Sequence, residues 1–313
     1  MVLVHLGKHW YARRHYPFVS WAACVARSAR VLLFYRDHRG LLGLDVYRQH
    51  LTQVHDDVFH HLSHRNYLAK GLSLRERVRC VQTHYRFEAA TFDGAYQRAV
   101  YRDGGLVVWQ HAADGLRCTV QLEMAERLNA EGDLTLTARL DGIRLHRLSF
   151  SWVDSGFAGV PAASKPAVMS AMVPFVARNQ GHHAEAAAAF ADFERLFPQN
   201  SPSFFCFAAL QGIAQALGME QIVAVKAAAQ CACDPHREQR FVNAYDGFWQ
   251  TLGGAPLAGR GWRIPLPLQL KPLAEMSAKH RRRAAMRRAH WGAIADAAGA
   301  AVARHLLRRF APL

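Results

Sequence analysis

The segment DLTLTARLDGIRLHRLSFSWV, residues 133–153, constrains the fold of this chain more than any other. Apolar and polar residues alternate from Leu134 to Leu140, which is the period of a strand that buries one face. Asp141-Gly142 then supplies the favoured two-residue hairpin turn. In the return strand apolar residues again occupy every second position, but this alternation shifts by one residue across His146-Arg147. We therefore predict a long antiparallel hairpin with a β-bulge in its second strand.

The remaining periodicity predicts an α+β protein. Apolar residues recur at three- and four-residue spacing before residue 90, and strand-like runs follow at 106–111 and 116–124. QIVAV (221–225) reads as a buried strand after a helix, and prolines place GWRIPLPL (261–268) at a sheet edge. From Gly156 to QIVAV the pattern is read as helical.

We divide the chain of 313 residues into three parts. A helical N-terminal region covers residues 1–90, and an α/β core domain with a central, mostly antiparallel sheet flanked by helices covers 91–275. A long basic helix, residues 276–313, is predicted to pack on the core through an apolar line that runs from Trp291 to Leu306. The expected core is apolar and aromatic: Trp152, Phe204, Phe207, Leu210, Ile222, Val223, Phe248 and Trp249. Gly212 is expected to permit close packing of its helix.

Positive charge is concentrated at the C-terminal end. The net charge is +15, and residues 255–313 contain twelve Lys or Arg but only two acidic residues. Such a field attracts anions. The arginines that we predict to bind an anion are Arg281, Arg282, Arg283, Arg287 and Arg288. A CoA-type phosphate is the first choice of partner and an anionic lipid head group the second. Nucleic acid is less favoured, because Trp291 is the one aromatic residue near the run, and a solvated face is the alternative to any partner.

Cysteine usage and hydropathy indicate a cytoplasmic protein. Six cysteines are scattered singly apart from Cys231-Ala-Cys233, which is typical of a reduced compartment. No eighteen uninterrupted apolar residues occur, so no membrane span is predicted, although peripheral association with the inner membrane stays open. Asp56, His60 and His64 share one helix face and could contact a metal ion, but no further ligands are identified, and we favour a solvated polar face.

Several segments together resemble the VirK/YbjX family of bacterial proteins. They are THYRF (83–87), FFCFAALQGIAQALGMEQIVAV (204–225), YDGFWQTLGG (245–254), WRIPLPL (262–268) and SAKHRRRAAMRR (277–288). The resemblance implies a role in the cell envelope, virulence and resistance to cationic antimicrobial peptides, and it implies no catalytic residues. The chain departs from the family pattern at VDSGFAG (153–159), FPQNSP (197–202) and VKAAAQCAC (225–233). A pocket formed by these positions would be altered in this member.

The order of elements also looks like the GNAT-type N-acetyltransferase architecture, in which a bulged strand offers a backbone amide to an acyl donor. This analogy implies transfer of an acyl group from acyl-CoA or a similar donor to an amine. Candidate catalytic residues are His146 and Trp152 near the bulge and Tyr245 on the late helix. The alternative is a non-catalytic factor that binds an anionic membrane surface or nucleic acid through the basic C-terminal helix.

Overall fold

The computed structural model describes residues 2–50, 67–124, 131–160, 171–181, 186–234, 236 and 238–307. The helices are α1 Val2–Ala12, α2 Phe18–Ser28, α3 Tyr35–Leu41, α4 Leu74–Thr91, α5 Gly94–Tyr101, α6 Ser155–Ala158, α7 Ala187–Leu196, α8 Pro202–Ala216, α9 Glu238–Val242, α10 Phe248–Thr251 and α11 Ala278–Ala303. A π-helical turn, Asn243–Gly247, joins α9 to α10. The strands are β1 Leu106–Ala113, β2 Leu116–Met124, β3 Leu134–Leu140, β4 Ile143–Asp154, β5 Met172–Gly181, β6 Gln221–Val225, β7 Ala255–Pro256 and β8 Gly261–Pro265.

The eight strands form one mixed sheet in the order β1-β2-β3-β4-β5-β6-β8-β7. Neighbouring strands are antiparallel except for β5 and β6, which are parallel. A parallel pair needs a crossover connection, and helices α7 and α8 lie between these two strands in the chain. The structure confirms the α+β class and shows a sheet with one parallel pair.

The predicted hairpin is confirmed. Strands β3 and β4 turn at Asp141 and Gly142, whose φ angles of 46° and 81° suit the twist of a two-residue hairpin. Ala138 pairs with His146 while Arg139 pairs with Arg144, so one residue of β4 between those partners is extra. The bulge therefore lies immediately before the predicted position and lets β4 keep its apolar face inward.

Two expectations about strands were wrong. Residues Met172–Gly181 form β5, although the segment after Gly156 was expected to be helical. The run from Met172 to Ala177 is buried continuously, and a strand buried on both faces shows no alternation by which to recognise it. Strand β8 is not at the edge, because β7 pairs with its outer side. Pro265 ends β8 and Pro267 follows it, so neither interrupts the ladder.

The core lies between the sheet and its helices. Strand β4 is buried along most of its length, with α4 and α8 both packed on it, and α11 packs on α8. Of the expected core residues, Phe204 and Phe248 are half-buried and the others are buried. These two rings lie 4.9 Å apart, and Phe204 stacks on Trp291 at 4.6 Å. Trp291 is half-buried and Ile294, Ala298 and Val302 are buried, in line with the predicted apolar face of this helix. The helix was expected to run through residues 276–313, but α11 ends at Ala303, so the half-buried Leu306 lies beyond it.

Helices α8 and α11 touch through their backbones at Gly212. A Cβ atom built on Gly212 would lie 1.9 Å from the carbonyl oxygen of Ala295, a separation that no real structure tolerates. Gly299 is similarly close: a Cβ atom placed on it would lie 3.0 Å from the carbonyl oxygen of Gly212. The absence of side chains at these positions sets the distance between the two helices, as the sequence predicted for Gly212.

We expect Gly212→Ala to reduce the free energy of unfolding by at least about 2 kcal/mol, because α11 must move away from α8. Gly292→Ala is the matched control, since a Cβ at Gly292 in α11 meets nothing within 4 Å. That control should be neutral or stabilising by up to about 1 kcal/mol, because alanine favours the helix. Urea unfolding of both variants measures the difference, and equal stabilities would contradict the close approach.

Candidate functional site

A cavity of about 400 Å³ lies at the end of β5, beside α9 and the π-helical turn. Its lining residues are Asn179, Gln180, Gly181, Arg240, Phe241, Ala244 and Tyr245. The parallel register joins Phe175 to Val223 and Val176 to Ala224, and β5 continues beyond it to Gly181. The cavity therefore occupies the place where β5 leaves the parallel pair.

A second bulge lies in β5 at this point. Ser149 of β4 pairs with Arg178, and the next residue, Phe150, pairs with Val176. Ala177 is thus the extra residue, directly after the parallel register. A bulge bends its strand and redirects the backbone groups that follow, which are here the backbone of the cavity lining.

Tyr245 contacts the end of β5 beyond its pairing with β6. Its phenol oxygen accepts the backbone N–H of Asn179 at 3.2 Å and the Nε2–H of Gln180 at 3.2 Å. Among the described residues no acceptor contacts the phenol proton. Burial raises the pKa of Tyr245 well above its usual value, so the group stays protonated. Tyr245 is consequently a hydrogen-bond donor available to a ligand in the cavity.

His146 lies behind Asn179. The Nε2 atom of His146 is 2.8 Å from Oδ1 of Asn179, whose amide nitrogen donates to the Ala244 carbonyl at 3.0 Å. That orientation of the amide makes His146 Nε2 the proton-bearing nitrogen. Burial lowers the pKa of His146 to about 4, so the ring is neutral near pH 7. Its Nδ1 lone pair faces Gly181, where a Cβ would lie 2.6 Å away.

The structure thus connects two of the three predicted catalytic residues through Asn179, and it places the third elsewhere. Trp152 is fully buried and does not line the cavity. Its backbone N–H donates to His84 Nδ1 at 3.2 Å, and its indole N–H donates to Glu88 Oε1 at 2.5 Å. Tyr101 completes the connection, 3.3 Å from His84 Nε2 and 3.2 Å from Glu88 Oε2. These four residues form a closed polar ring inside the core.

Glu88 is an uncommon group in this ring because it is a completely buried carboxyl. Burial raises its pKa to about 8, and hydrogen bonds from Trp152, Tyr101 and Tyr96 oppose part of that rise. Glu88 is therefore mostly protonated near neutral pH. Helix α4 supplies both His84 and Glu88, one turn apart on the same face.

The basic segment of α11 borders a second cavity, of about 500 Å³. Its lining residues are Gln199, Lys271, Glu275, Met276, Ser277, His280, Arg283 and Arg287. Arg281 donates to the carbonyls of Leu273 and Met276, and Arg288 donates to that of Lys271. The five predicted anion-binding arginines thus separate into two that bind backbone, two that line the cavity, and Arg282, which is exposed.

Comparison with known proteins gives a family. The sequence profile of a family described as protein of unknown function, DUF535, matches residues 18–164 and 168–297. The chain belongs to this family. It is also similar to "Uncharacterized protein YbjX" of Escherichia coli (strain K12), at 25% identity over 228 residues. That alignment covers 70% of this chain and 64% of the relative, so the chain spans less than two thirds of the relative's length. No solved structure matched significantly. The resemblance to the VirK/YbjX family is confirmed.

The segments that suggested the family lie at the features described above. THYRF supplies His84 to the polar ring, and YDGFWQ supplies Tyr245 to the first cavity. Among the departures from the family pattern, 225–233 includes Gln230, which donates to Glu131 Oε1 at 2.8 Å. Glu131 in turn forms a buried ion pair with Arg178 of β5, at 2.7 Å. This altered segment therefore supports the strand that lines the cavity.

Most of the cavity lining was not predicted from the sequence. Asn179, Gln180 and Gly181 belong to β5, the strand that was not recognised, although the buried apolar run before them is a signal for a strand. Glu88 directly follows THYRF and went unnoticed, because a carboxyl in an amphipathic helix reads as a surface group. The metal candidates Asp56, His60 and His64 lie outside the described residues.

We expect Glu88 to make the free energy of unfolding fall as the pH rises from about 5 to about 8. The folded chain keeps the Glu88 proton up to its raised pKa of about 8, whereas the unfolded chain releases it near 4.5. Stability from this group is thus complete below 4.5 and is lost towards pH 8, at no more than about 1.4 kcal/mol per pH unit.

Urea unfolding of the parent and of Glu88→Gln at pH 5, 6, 7 and 8 provides the measurement. The stability of the variant relative to the parent should increase with pH, because glutamine has no proton to release. His146 titrates in both proteins and cancels in the difference. A constant difference across this range would show that Glu88 is not held protonated.

Proposed function

We propose that the chain is an acyltransferase-like enzyme that moves an acyl group from a CoA-type thioester to an amine. The observation that carries this proposal is the cavity where bulged β5 leaves β6, with Tyr245 hydrogen-bonded to the exposed backbone of that strand. In the acyltransferase architecture that the element order resembles, a bulged strand offers an amide to the acyl donor. Here the backbone N–H of Asn179, which donates a hydrogen bond to the Tyr245 phenol oxygen, is the amide in position to bind the acyl donor.

The reaction requires one bond to form and one to break. The amine nitrogen attacks the thioester carbonyl carbon, the C–N bond forms, and the carbonyl oxygen becomes an oxyanion. The C–S bond then breaks, and the proton lost by the amine ends on the departing sulfur. The protein must therefore stabilise an oxyanion, accept one proton and deliver one.

The cavity contains groups suited to these tasks. Tyr245 is protonated and its hydrogen is uncommitted, so it can donate to the oxyanion or protonate the leaving thiolate. The Asn179 backbone N–H lies beside it as a second donor. His146 lies behind Asn179, outside the cavity lining, and is neutral; it orients the Asn179 side chain, and the departing thiolate takes up the proton lost by the amine. Trp152 keeps no direct role in this scheme, because its N–H groups are used inside the core.

The positive charge near the cavity suits the phosphates of such a donor. Arg240 is exposed and lines the cavity itself. Phe248, next to the π-helical turn, contacts Phe204, and Phe204 stacks on Trp291 of α11. The Tyr245 region and the basic segment of α11 are thus joined through one aromatic cluster.

A second candidate function is the binding of a phosphate-bearing partner without catalysis. The cavity lined by Lys271, His280, Arg283 and Arg287 supports it, with Glu275 as the one acidic group among the described lining residues. Arg287 Nε is buried without a hydrogen-bond partner among the described residues. A phosphate group can accept several such N–H donors at once. The arrangement favours a compact anion over nucleic acid, because no Phe, Tyr or Trp lines the cavity in the described part of the chain.

The location in the cytoplasm and the roles in the envelope, virulence and resistance to antimicrobial peptides stay predictions. The first depends on cysteine usage, and the rest on the family resemblance. An acyl transfer to an amine or the binding of anionic lipid would suit an envelope role equally, so the biochemical tests come first.

For the enzyme, we expect acyl-CoA to bind and Tyr245→Phe to slow thiol release with an added amine by about a hundredfold, because the donor to the reacting oxygen or sulfur is lost. The dissociation constant of acyl-CoA should change by less than about threefold, since one neutral hydrogen bond contributes little to binding. Calorimetry and a thiol-release assay measure the two quantities.

Tyr16→Phe is the control for this experiment, because Tyr16 is exposed and far from the cavity in the chain. It should leave both quantities unchanged. If the parent binds neither CoA nor acyl-CoA at millimolar concentration, or if Tyr245→Phe turns over at the parent rate, the enzyme proposal is wrong.

For the anion site, we expect the double variant Arg283→Gln/Arg287→Gln to lose most binding of inorganic pyrophosphate, while Arg282→Gln on the same helix keeps it. Binding by the parent should weaken with salt, as screening lengths fall to about 8 Å at physiological ionic strength. Calorimetry at low and moderate salt, repeated with anionic vesicles and an oligonucleotide, identifies the preferred anion. Equal binding by the two variants would mean that the cavity does not form the site.

A further inference from the structure

The N-terminal helices expose most of the large apolar side chains that reach the surface. Of the twelve exposed large hydrophobic residues in the described part of the chain, nine lie between Leu3 and Tyr35. They are Leu3, Val4, Tyr11, Tyr16, Phe18, Val19, Leu32, Leu33 and Tyr35. Phe18 and Val19 are 77% and 79% exposed, and Leu33 is 76% exposed. A concentration of apolar surface of this kind marks an interaction site.

The same helices place polar groups between them. His9 and Arg13 of the α1 region are buried against Cys24 of α2, with the Arg13 guanidinium 3.2 Å from His9 Nε2 and 2.9 Å from Cys24 Sγ. The Trp10 indole N–H donates to Ser28 Oγ at 2.7 Å, and Ser28 is also buried. Val2, Leu6 and Val31 are buried in the same layer. Polar groups therefore take up part of the interior of this layer, while many of its large apolar side chains stay at the surface.

Basic residues surround the exposed apolar ones. Residues 1–50 contain eight Lys or Arg and two acidic residues. Lys8, Arg14, Arg30, Arg36 and Arg39 are exposed on the helices that carry the apolar side chains. An apolar surface bordered by cations is complementary to a bilayer with anionic head groups, since the hydrocarbon boundary takes the side chains and the head groups take the charges.

We propose that helices α1 and α2, with the turn that leads to α3, dock this protein on the surface of a bilayer that contains anionic lipid. The exposed apolar side chains enter the boundary between head groups and hydrocarbon, and the arginines bind lipid phosphates. This surface is separate from both cavities, so the proposal does not depend on the proposed enzyme or on the anion site of α11.

A spanning helix is the other way in which this segment could meet a membrane. By length and composition, the helical stretch Phe18–Leu41 could cross a bilayer, and 17% of its most apolar 18-residue segment is buried. Within that stretch, however, α2 gives way to a 3₁₀ segment at Ala29–Phe34, and charged residues from Arg27 to Arg39 divide it. Charges along the stretch favour a helix layer that lies in the interface.

The test is flotation of the full chain with vesicles. We expect it to float with vesicles of phosphatidylethanolamine and phosphatidylglycerol and to stay behind with phosphatidylcholine vesicles. The variant Phe18→Ser/Val19→Ser/Leu33→Ser should bind at least about tenfold less, because the apolar contribution is removed. Arg30→Gln/Arg36→Gln/Arg39→Gln should bind less at low salt and show a weaker salt dependence than the parent, since Lys8 and Arg14 remain.

The control is Val107→Ser/Ile143→Ser, which removes two exposed apolar side chains from the sheet and should bind as the parent does. Thermal unfolding of each variant confirms that it is folded. No flotation of the parent, or equal flotation of the serine triple variant, would overturn the proposal.

Two further outcomes would replace the proposal with another. If light scattering shows a dimer that the serine triple variant cannot form, the surface binds a second copy of the chain. If the chain in bacterial membranes resists extraction by both high salt and alkaline carbonate, Phe18–Leu41 spans the bilayer. Release by alkaline carbonate, together with a monomer in solution, supports docking at the bilayer surface.

Discussion

The polar ring between α4 and β4 is the interaction on which the rest of the structure depends. Both N–H groups of Trp152 donate hydrogen bonds to α4, the backbone N–H to His84 and the indole N–H to Glu88. A buried carboxyl without such partners would cost several kcal/mol, so the ring is stable only when every member is in place. Since β4 pairs with β3 on one side and β5 on the other, fixing β4 against α4 also fixes the strand that lines the cavity.

The cavity results from a local failure of regular pairing. Strand β5 is held along β4, contains an extra residue at Ala177, and leaves β6 soon after the parallel pair begins. Its backbone groups would otherwise lack partners, and Tyr245 and Gln230 provide them from outside the sheet. A site built in this way offers backbone donors whose present partner, a phenol, can share them with a ligand.

The sequence predicted those parts of the fold that its local pattern specifies. The alternation from Leu134 and the Asp141-Gly142 turn predicted the hairpin. The one-residue shift of that alternation in the second strand located the bulge to within one residue. Strand β5 was not predicted, because a strand buried on both faces shows no alternation of apolar and polar residues. His146 and Tyr245 were identified as separate candidates, whereas the residue that links them, Asn179, lies on the strand that was not predicted. The five arginines of α11 look alike in sequence, and only tertiary contacts with Lys271, Leu273 and Met276 distinguish them.

The short parallel register between β5 and β6 has a mechanical consequence. Two residue pairs join the five-stranded part of the sheet to the part that contains β6, β8 and β7, whereas β4 and β5 pair along most of their length. A load that pulls the two parts apart would therefore separate them at this seam first. Because the cavity opens at the end of the same seam, a small separation there would widen the cavity while the ladders on either side stay intact.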